Sequence, residues 1–88
     1  MVEGFRHLVG IDWGEESYQV CVLDAGGKVL KERLVEHSGQ GLGRFVDELL
    51  KLSQAEPQTV AVAIETTRGA MIETLIEKGF AVFTINPK

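Results

Sequence analysis

Two acidic residues each come directly after a short run of apolar residues. Asp12 follows the run LVGI at positions 8–11, and Glu65 follows the run VAVAI at positions 60–64. If the two runs are neighbouring parallel strands, both carboxylates emerge at the same edge of one sheet. Mg²⁺ and Mn²⁺ prefer carboxylate oxygens, and two such ions can activate a water and stabilise the leaving oxygen in phosphodiester cleavage. The pattern makes Asp12 and Glu65 candidate catalytic and metal-binding residues.

A structural role for the same two acids stays open at this stage. Acidic residues at strand ends often act as helix caps or form turns, and Glu65 precedes a predicted helix whose N-terminal amides favour an anion nearby. Two unpaired carboxylates close together repel each other, and a divalent cation relieves that repulsion. Adjacency of the two strands would favour the metal site over the structural role.

Composition limits the kinds of function that the chain can have. Its 88 residues predict one domain spanning 1–88, and the 44% hydrophobic and 25% charged content is typical of a globular fold. With a net charge of −4, the chain differs from domains that grip nucleic acid through phosphate neutralisation, which are usually basic. Any affinity for DNA or RNA must therefore come from metal ions, from another segment of a longer protein, or from a guide or partner.

The sequence also predicts a cytoplasmic location. It contains no apolar run near the roughly 20 residues of a membrane helix, and its first residues show no secretory signal pattern. Cys21 is the single cysteine, which excludes an internal disulfide and a cysteine zinc cluster.

Hydrophobic periodicity predicts an α/β fold with the element order β-β-β-α-β-α-β. Strands are expected at 7–13, 17–23 and 28–36 as an antiparallel meander, with a turn at 24–27. A helix opened by Ser38 or Gly39 follows, with an apolar stripe formed by Leu42, Phe45, Val46, Leu49 and Leu50. The remaining elements are a buried strand at 60–64, a second helix and a last strand at 80–85.

The second helix has predicted signals at both of its ends. Thr66 and Thr67 are suited to cap its start, Lys78 falls in its last turn, and Gly79 is the expected stop. Its expected apolar stripe consists of Met71, Ile72, Leu75 and Ile76.

The expected fold is a five-stranded mixed sheet of order 3-2-1-4-5, in which the first and fourth strands are adjacent and parallel. Right-handed connections from the third strand to the fourth, and from the fourth to the fifth, place both helices on one face. The opposite face is then uncovered, and it should be apolar because the fourth strand is apolar on both sides. We expect more chain, or a second copy in a homo-oligomer, to cover it.

Four residues near the predicted sheet edge are candidate contacts to nucleic acid: Trp13, Thr66, Arg68 and Lys88. An indole can stack on a base, and a guanidinium can meet a phosphate. Packing against the core edge for Trp13, and a solvated surface position for Arg68, are the alternatives.

Four segments of the sequence resemble one known family. They are VGIDW at 9–13, VCVLD at 20–24, IETTRG at 64–69 and INPK at 85–88, and the likeness spans nearly the whole chain. These segments are similar to the N-terminal part of the DEDD insertion-sequence transposases, which are related to the Piv-type DNA invertases. The ETTRG and NPK segments are the most specific part of the resemblance.

The resemblance implies a RuvC-like domain of the RNase H fold that takes part in DNA transposition by metal-dependent strand cleavage and transfer. It makes Asp12 the first acid of the family's tetrad and Glu65 the second, with Mg²⁺ or Mn²⁺ as the cofactor of the complete enzyme. The other two acids and a serine-bearing domain lie downstream in that family, and some members use a guide RNA. The chain is therefore expected to be an N-terminal fragment that is inactive alone.

Two other classes of protein remain as alternatives. A sugar-kinase or actin-like ATPase lobe has the same order of elements, and the opening Gly10-Ile11-Asp12-Trp13-Gly14 is similar to its first strand. Glu15 and Glu16 then stand where such proteins hold phosphates with small hydroxyl-bearing residues. The second alternative is a non-catalytic dimerisation domain in which the acids are structural.

Overall fold

The chain folds into a five-stranded mixed sheet with two α-helices, and the computed structural model describes residues 4–65 and 69–85. The strands are β1 (His7–Trp13), β2 (Ser17–Asp24), β3 (Val29–Glu36), β4 (Val60–Ile64) and β5 (Ala81–Thr84). The helices are α1 (Gly39–Leu52) and α2 (Ala70–Glu77), and a short 3₁₀ helix lies at Pro57–Thr59. The sheet order is β3-β2-β1-β4-β5, which confirms the predicted α/β class, element order and strand order.

Both helices pack on the same face of the sheet, as right-handed crossovers predicted. Side chains alternate between the two faces of a strand, and every second residue of the central strands points toward the helices. The buried core consists of Phe45, Val46 and Leu49 from α1, Met71, Ile72 and Leu75 from α2, Phe80, and the strand residues Val9, Ile11, Val20, Val22, Val35, Val60, Val62 and Ile64. This packing fixes which side chains point to the other face.

The sheet face opposite the helices, called the open face below, is apolar near the centre of the sheet. Leu8, Leu23 and Phe83 line a concavity of about 400 Å³ there, together with the small residues of β4. Phe83 is 51% exposed. The predicted apolar face is therefore present in the part of the chain that the structure describes, where no helix packs on it.

The start of α1 agrees with the sequence signals. Ser38 is the N-cap, and its Oγ accepts a hydrogen bond from the Gly41 amide at 2.9 Å. The predicted apolar stripe faces the sheet, with Leu42 and Leu50 partly buried beside the fully buried members of the core. A capped amphipathic helix of this kind is stabilised at both its end and its face.

The start of α2 differs from the prediction. Thr66 and Thr67 lie outside the described residues, and α2 begins at Ala70 after Gly69, which is the N-cap and makes no side-chain capping bond. Gly69 has φ 124°, a region that residues with a Cβ rarely adopt. A threonine cap at the start of α2 is therefore wrong, because the backbone conformation at the cap position requires glycine.

The end of α2 agrees with the sequence apart from two details. Gly79 follows the helix with φ 96°, as the predicted stop requires. Lys78 is the C-cap rather than a residue of the last turn. Ile76 is 59% exposed while its neighbour Leu75 is fully buried, so the placement of Ile76 on the buried stripe was wrong. The buried side of α2 is narrow and is filled by Met71, Ile72 and Leu75.

The strand ends shift by a residue or two from their predicted positions. β3 begins at Val29 rather than position 28, because the Asp24 carboxylate accepts the amides of Gly26 and Lys28, both at 2.9 Å, and keeps Lys28 in the turn. β5 spans Ala81–Thr84 rather than 80–85. In the ranges that the structure describes, no helix has the length and apolar character needed to cross a membrane.

Candidate metal centre and sheet edge

The ends of β1 and β4 bring Asp12 and Glu65 to the same edge of the sheet. The two strands are parallel neighbours, and Ile11 pairs with Ile64 at the last position of their register. Asp12 and Glu65 are the next residues on each strand. Since adjacent strands lie about 4.8 Å apart, the two acids start from neighbouring backbone positions.

Strand alternation places the two acids on the open face. Ile11 and Ile64 belong to the core under the helices, so the residue after each of them points to the opposite side of the sheet. Asp12 and Glu65 are both exposed, and both line one concavity of about 370 Å³. The two acids therefore share one exposed concavity at the sheet edge.

Other polar groups line the same concavity and were missed in the sequence. Gln19 is the cross-strand partner of Asp12 in the antiparallel β1–β2 pair. Glu32 of β3 is the cross-strand partner of Cys21 of β2. Counting residues back from the short link between the first two strands would have placed Gln19 beside Asp12. Glu32 could not be placed that way, because a register shift between Val22 and Leu23 separates it from the preceding turn.

The chemistry of the oxygen donors fits a hard divalent cation. Asp12 and Glu65 supply carboxylate oxygens and Gln19 supplies an amide oxygen, the ligand types that Mg²⁺ and Mn²⁺ accept. Among residues 4–65 and 69–85, the structure contains no group of three or more His, Cys, Asp or Glu arranged to hold a metal ion. The described residues thus provide a pair of acids that fits part of a metal site.

An aromatic cluster lies at the same edge of the sheet, formed by Trp13, Tyr18 and His37. Trp13 and Tyr18 face each other across the β1–β2 pair. The His37 ring lies with its centroid 4.2 Å from that of Tyr18 and 5.6 Å from that of Trp13. Trp13 is 54% exposed, so the indole covers the edge of the fold without being buried in it.

Hydrogen bonds hold His37 against the link between β1 and β2. Its Nε2 contacts the carbonyl oxygen of Gly14, which can only accept, so Nε2 carries the proton. The His37 amide also donates to the Glu16 carbonyl oxygen at 3.4 Å. Burial raises the pKa of the Tyr18 hydroxyl, and this group is therefore neutral at physiological pH. The cluster is fixed by backbone contacts as well as by ring packing.

Of the four residues predicted to contact nucleic acid, Trp13 is the one that the structure describes. Trp13 lies at the sheet edge beside Asp12, on the side of β1 that faces His37. Thr66, Arg68 and Lys88 lie outside the described residues.

Residues 9–88 match the IS110-type DEDD family, whose description is transposase. The match covers most of the chain and includes both candidate metal ligands. The chain belongs to this transposase family.

Two curated relatives carry the same assignment. The chain is 44% identical over 85 residues to y4uE of Sinorhizobium fredii, assigned as a transposase, covering 94% of this chain and 24% of that protein. It is 31% identical over 78 residues to the mini-circle protein of Streptomyces coelicolor assigned as the transposase for IS117, covering 89% of this chain and 19% of that protein. The chain thus spans about a quarter or less of the length of these relatives.

Solved structures of more distant proteins share the fold. A Bacteroides thetaiotaomicron protein with an actin-like ATPase fold and unknown function superposes with a TM-score of 0.70 at 10% identity, over 94% of this chain and 34% of that one. YeaZ from Pseudomonas aeruginosa superposes with a TM-score of 0.54 at 21% identity, over 93% of this chain and 43% of that one. At these identities the likeness concerns the fold alone.

Proposed function

We propose that this chain is the N-terminal part, over residues 1–88, of a RuvC-like catalytic domain in a DNA transposase, with Asp12 and Glu65 as its first two metal ligands. The parallel register that ends at Ile11 and Ile64 is the observation that carries the proposal. It gives two strand-end acids from distant parts of the sequence one common concavity. Membership of the transposase family supplies the class of reaction.

The cofactor in this proposal is Mg²⁺ or Mn²⁺. Such an ion, when bound, supplies Lewis-acid activation of water and stabilisation of the leaving oxygen in phosphodiester cleavage. Asp12 and Glu65 would hold the ion through their carboxylates, and Gln19, the cross-strand partner of Asp12, lines the same concavity. The complete protein acts on DNA in transposition, in the cytoplasm, and a guide RNA is a proposed further partner.

Binding of Mn²⁺ to the 88-residue chain tests the ligand assignment. Calorimetric titration should detect weak binding that Asp12→Asn and Glu65→Gln each reduce. Glu77→Gln is the matched control, because Glu77 is an exposed carboxylate on α2 and does not line the concavity. Equal Mn²⁺ affinity in all four proteins would overturn the assignment.

We also propose that the isolated chain does not cleave DNA. Two carboxylates supply too few ligands to fix two ions in a catalytic arrangement. Incubation with branched and linear DNA in Mn²⁺ should give no product. Metal-dependent cleavage that Asp12→Ala abolishes would contradict this.

A second copy of the chain is the proposed partner of the open face. Its apolar concavity, with Leu8 and Leu23 beside the exposed ring of Phe83, is a surface that two copies can bury symmetrically. Light scattering should then show a dimer that Phe83→Lys converts to a monomer. A monomer at every concentration tested would exclude this homo-oligomer.

An actin-like ATPase lobe is the second candidate function, because the fold superposes on such a protein. The link between β1 and β2 opposes it, since the exposed Glu15 and Glu16 repel a triphosphate at that position. The two candidates separate in a thermal shift experiment. Stabilisation by ATP with magnesium would favour the ATPase, and the transposase proposal predicts none.

A further inference from the structure

We infer that Trp13, Tyr18 and His37, called the edge aromatic cluster below, form a stacking platform for one unpaired nucleobase. The inference rests on the proposed function, because it assigns the cluster to a nucleic-acid strand that passes Asp12 and Glu65. It adds a base-binding site of defined chemistry to the phosphate chemistry of the acid pair.

The indole of Trp13 is accessible to a ligand. Trp13 is 54% exposed at the end of β1. A nucleobase that stacks on an indole removes apolar surface from water, and such stacking accepts every base because each has a π-face.

The indole of Trp13 packs on a rigid support, the side chain of His37. The His37 ring packs against both other rings, and its side chain and amide are hydrogen-bonded to the backbone carbonyls of Gly14 and Glu16. These bonds join the end of β3 to the link between β1 and β2. A platform that is already ordered loses little conformational entropy when a base binds.

The charges around the cluster indicate that a base, and not a phosphate, is the bound group. Glu15, Glu16 and Glu36 are exposed carboxylates close to it in the sequence and repel phosphate oxygens. A concavity of about 280 Å³ lies next to the cluster and is lined by Tyr18 and His37 but not by Trp13.

The edge aromatic cluster lies beside the acid pair, because Trp13 directly follows Asp12 on β1. Asp12 and Trp13 are successive residues of β1 and point to opposite faces of the sheet. A strand whose phosphate lies at Asp12 can therefore cross the sheet edge and rest a neighbouring base on Trp13. Duplex DNA keeps its bases paired and stacked, so the platform requires a single-stranded or unpaired nucleotide.

Fluorescence of the chain tests this directly, because Trp13 is its single tryptophan. A short oligothymidylate in EDTA should quench the emission, and an abasic oligonucleotide of equal length, which keeps the phosphates, should not. Quenching should weaken little as KCl rises, because stacking releases few counterions. Equal quenching by the abasic strand would overturn the inference.

Variants give a second measurement by anisotropy of a labelled oligothymidylate. Trp13→Ala should lower the affinity about five-fold or more, Trp13→Phe should keep part of it, and circular dichroism shows whether each variant folds. Ile76→Ala is the control, because Ile76 is an exposed apolar residue on α2, outside both the cluster and the open face. Unchanged affinity in folded Trp13→Ala would contradict base stacking.

Two further outcomes distinguish base stacking from metal binding and from binding of a cationic protein partner. Asp12→Asn should have reduced Mn²⁺ binding and still show quenching in EDTA, so the metal site and the platform can fail independently. Quenching by an arginine-containing peptide, without quenching by the oligothymidylate, would assign the cluster to a cationic protein partner and overturn the inference.

Discussion

Ile11 and Ile64 face each other across the parallel pair of β1 and β4, and a carboxylate follows each of them. Both isoleucines are buried under the helices, so their positions are fixed by core packing. The backbone positions of Asp12 and Glu65 are consequently fixed by the same packing. The core of this small fold therefore sets the geometry of its candidate metal site.

Neutralising either acid should stabilise the chain when no metal is present. Asp12→Asn or Glu65→Gln removes repulsion between like charges on neighbouring strands, which is worth roughly 0.5 kcal/mol. For a domain of this size that corresponds to a rise in Tm of about 2–4 °C in EDTA. Differential scanning fluorimetry checks it, and a fall in Tm instead would show that the acids act as structural caps.

The two adjacent residues at the end of α2 should respond oppositely to truncation. Leu75 is fully buried and Ile76 is 59% exposed. Leu75→Ala should lower the free energy of unfolding by about 2–5 kcal/mol, because it leaves a cavity. Ile76→Ala should change it by no more than about 0.5 kcal/mol. Urea denaturation measures both, and similar losses in the two variants would contradict the described orientation of α2.

Two glycines in the first turns of α1 provide another matched pair. A Cβ at Gly41 would lie 2.9 Å from the Glu36 carbonyl oxygen and 3.1 Å from Ser38 Oγ, whereas one at Gly43 meets nothing within 4 Å. Gly43→Ala should stabilise the helix by about 0.5–1 kcal/mol. Gly41→Ala should destabilise the chain, because the added methyl displaces the capping contact. Thermal unfolding of both variants gives the comparison, and stabilisation by Gly41→Ala would refute the described cap.

The ion pair between α1 and β3 should contribute stability that depends on pH. A hydrogen bond from Arg33 lowers the pKa of Glu48 below its ordinary value of 4.5, with Lys31 also near the carboxylate at 3.6 Å. A lowered pKa in the folded chain gives stability that is present above the ordinary value and is lost as pH falls through the folded value. The pair is partly exposed, so its contribution should stay below about 1 kcal/mol.

Comparison of the chain with Glu48→Gln isolates this contribution. The parent should be more stable at pH 7, and the two unfolding curves should converge as the pH falls below 4.5. Asp47→Asn is the control, because Asp47 is an exposed carboxylate on the same helix and makes none of the ion pairs found among the described residues. A difference between parent and Glu48→Gln that persists at low pH would contradict an electrostatic origin.

Much of the fold could be predicted because the hydrophobic pattern of the sequence and the right-handed preference of crossover connections are both consistent with it. The unbroken apolar run at Val60–Ile64 indicated a central strand, and right-handed crossovers placed both helices on one face of the sheet. The start of α2 could not be predicted, because threonines are common caps and the unusual φ of Gly69 is a property of the folded backbone. The exposure of Ile76 likewise depends on how far the helix face reaches over the sheet.

Part of the candidate site could likewise be predicted from the sequence, and part could not. Asp12 and Glu65 were recognisable in the sequence, because each follows an apolar strand and their segments resemble one family. His37 carried no such signal, since the residues around it have no motif. It reaches Trp13 and Tyr18 only because β2 and β3 pair in a particular register.

Residue types and periodicity along the chain were sufficient to predict the order of the elements, the uncovered apolar face and the two strand-end acids. The packed fold was needed to show that Glu32 lines the same concavity as Asp12 and that three aromatic rings meet at the sheet edge. The reason is physical: such contacts join residues from different strands, and only strand register and core packing fix which residues meet.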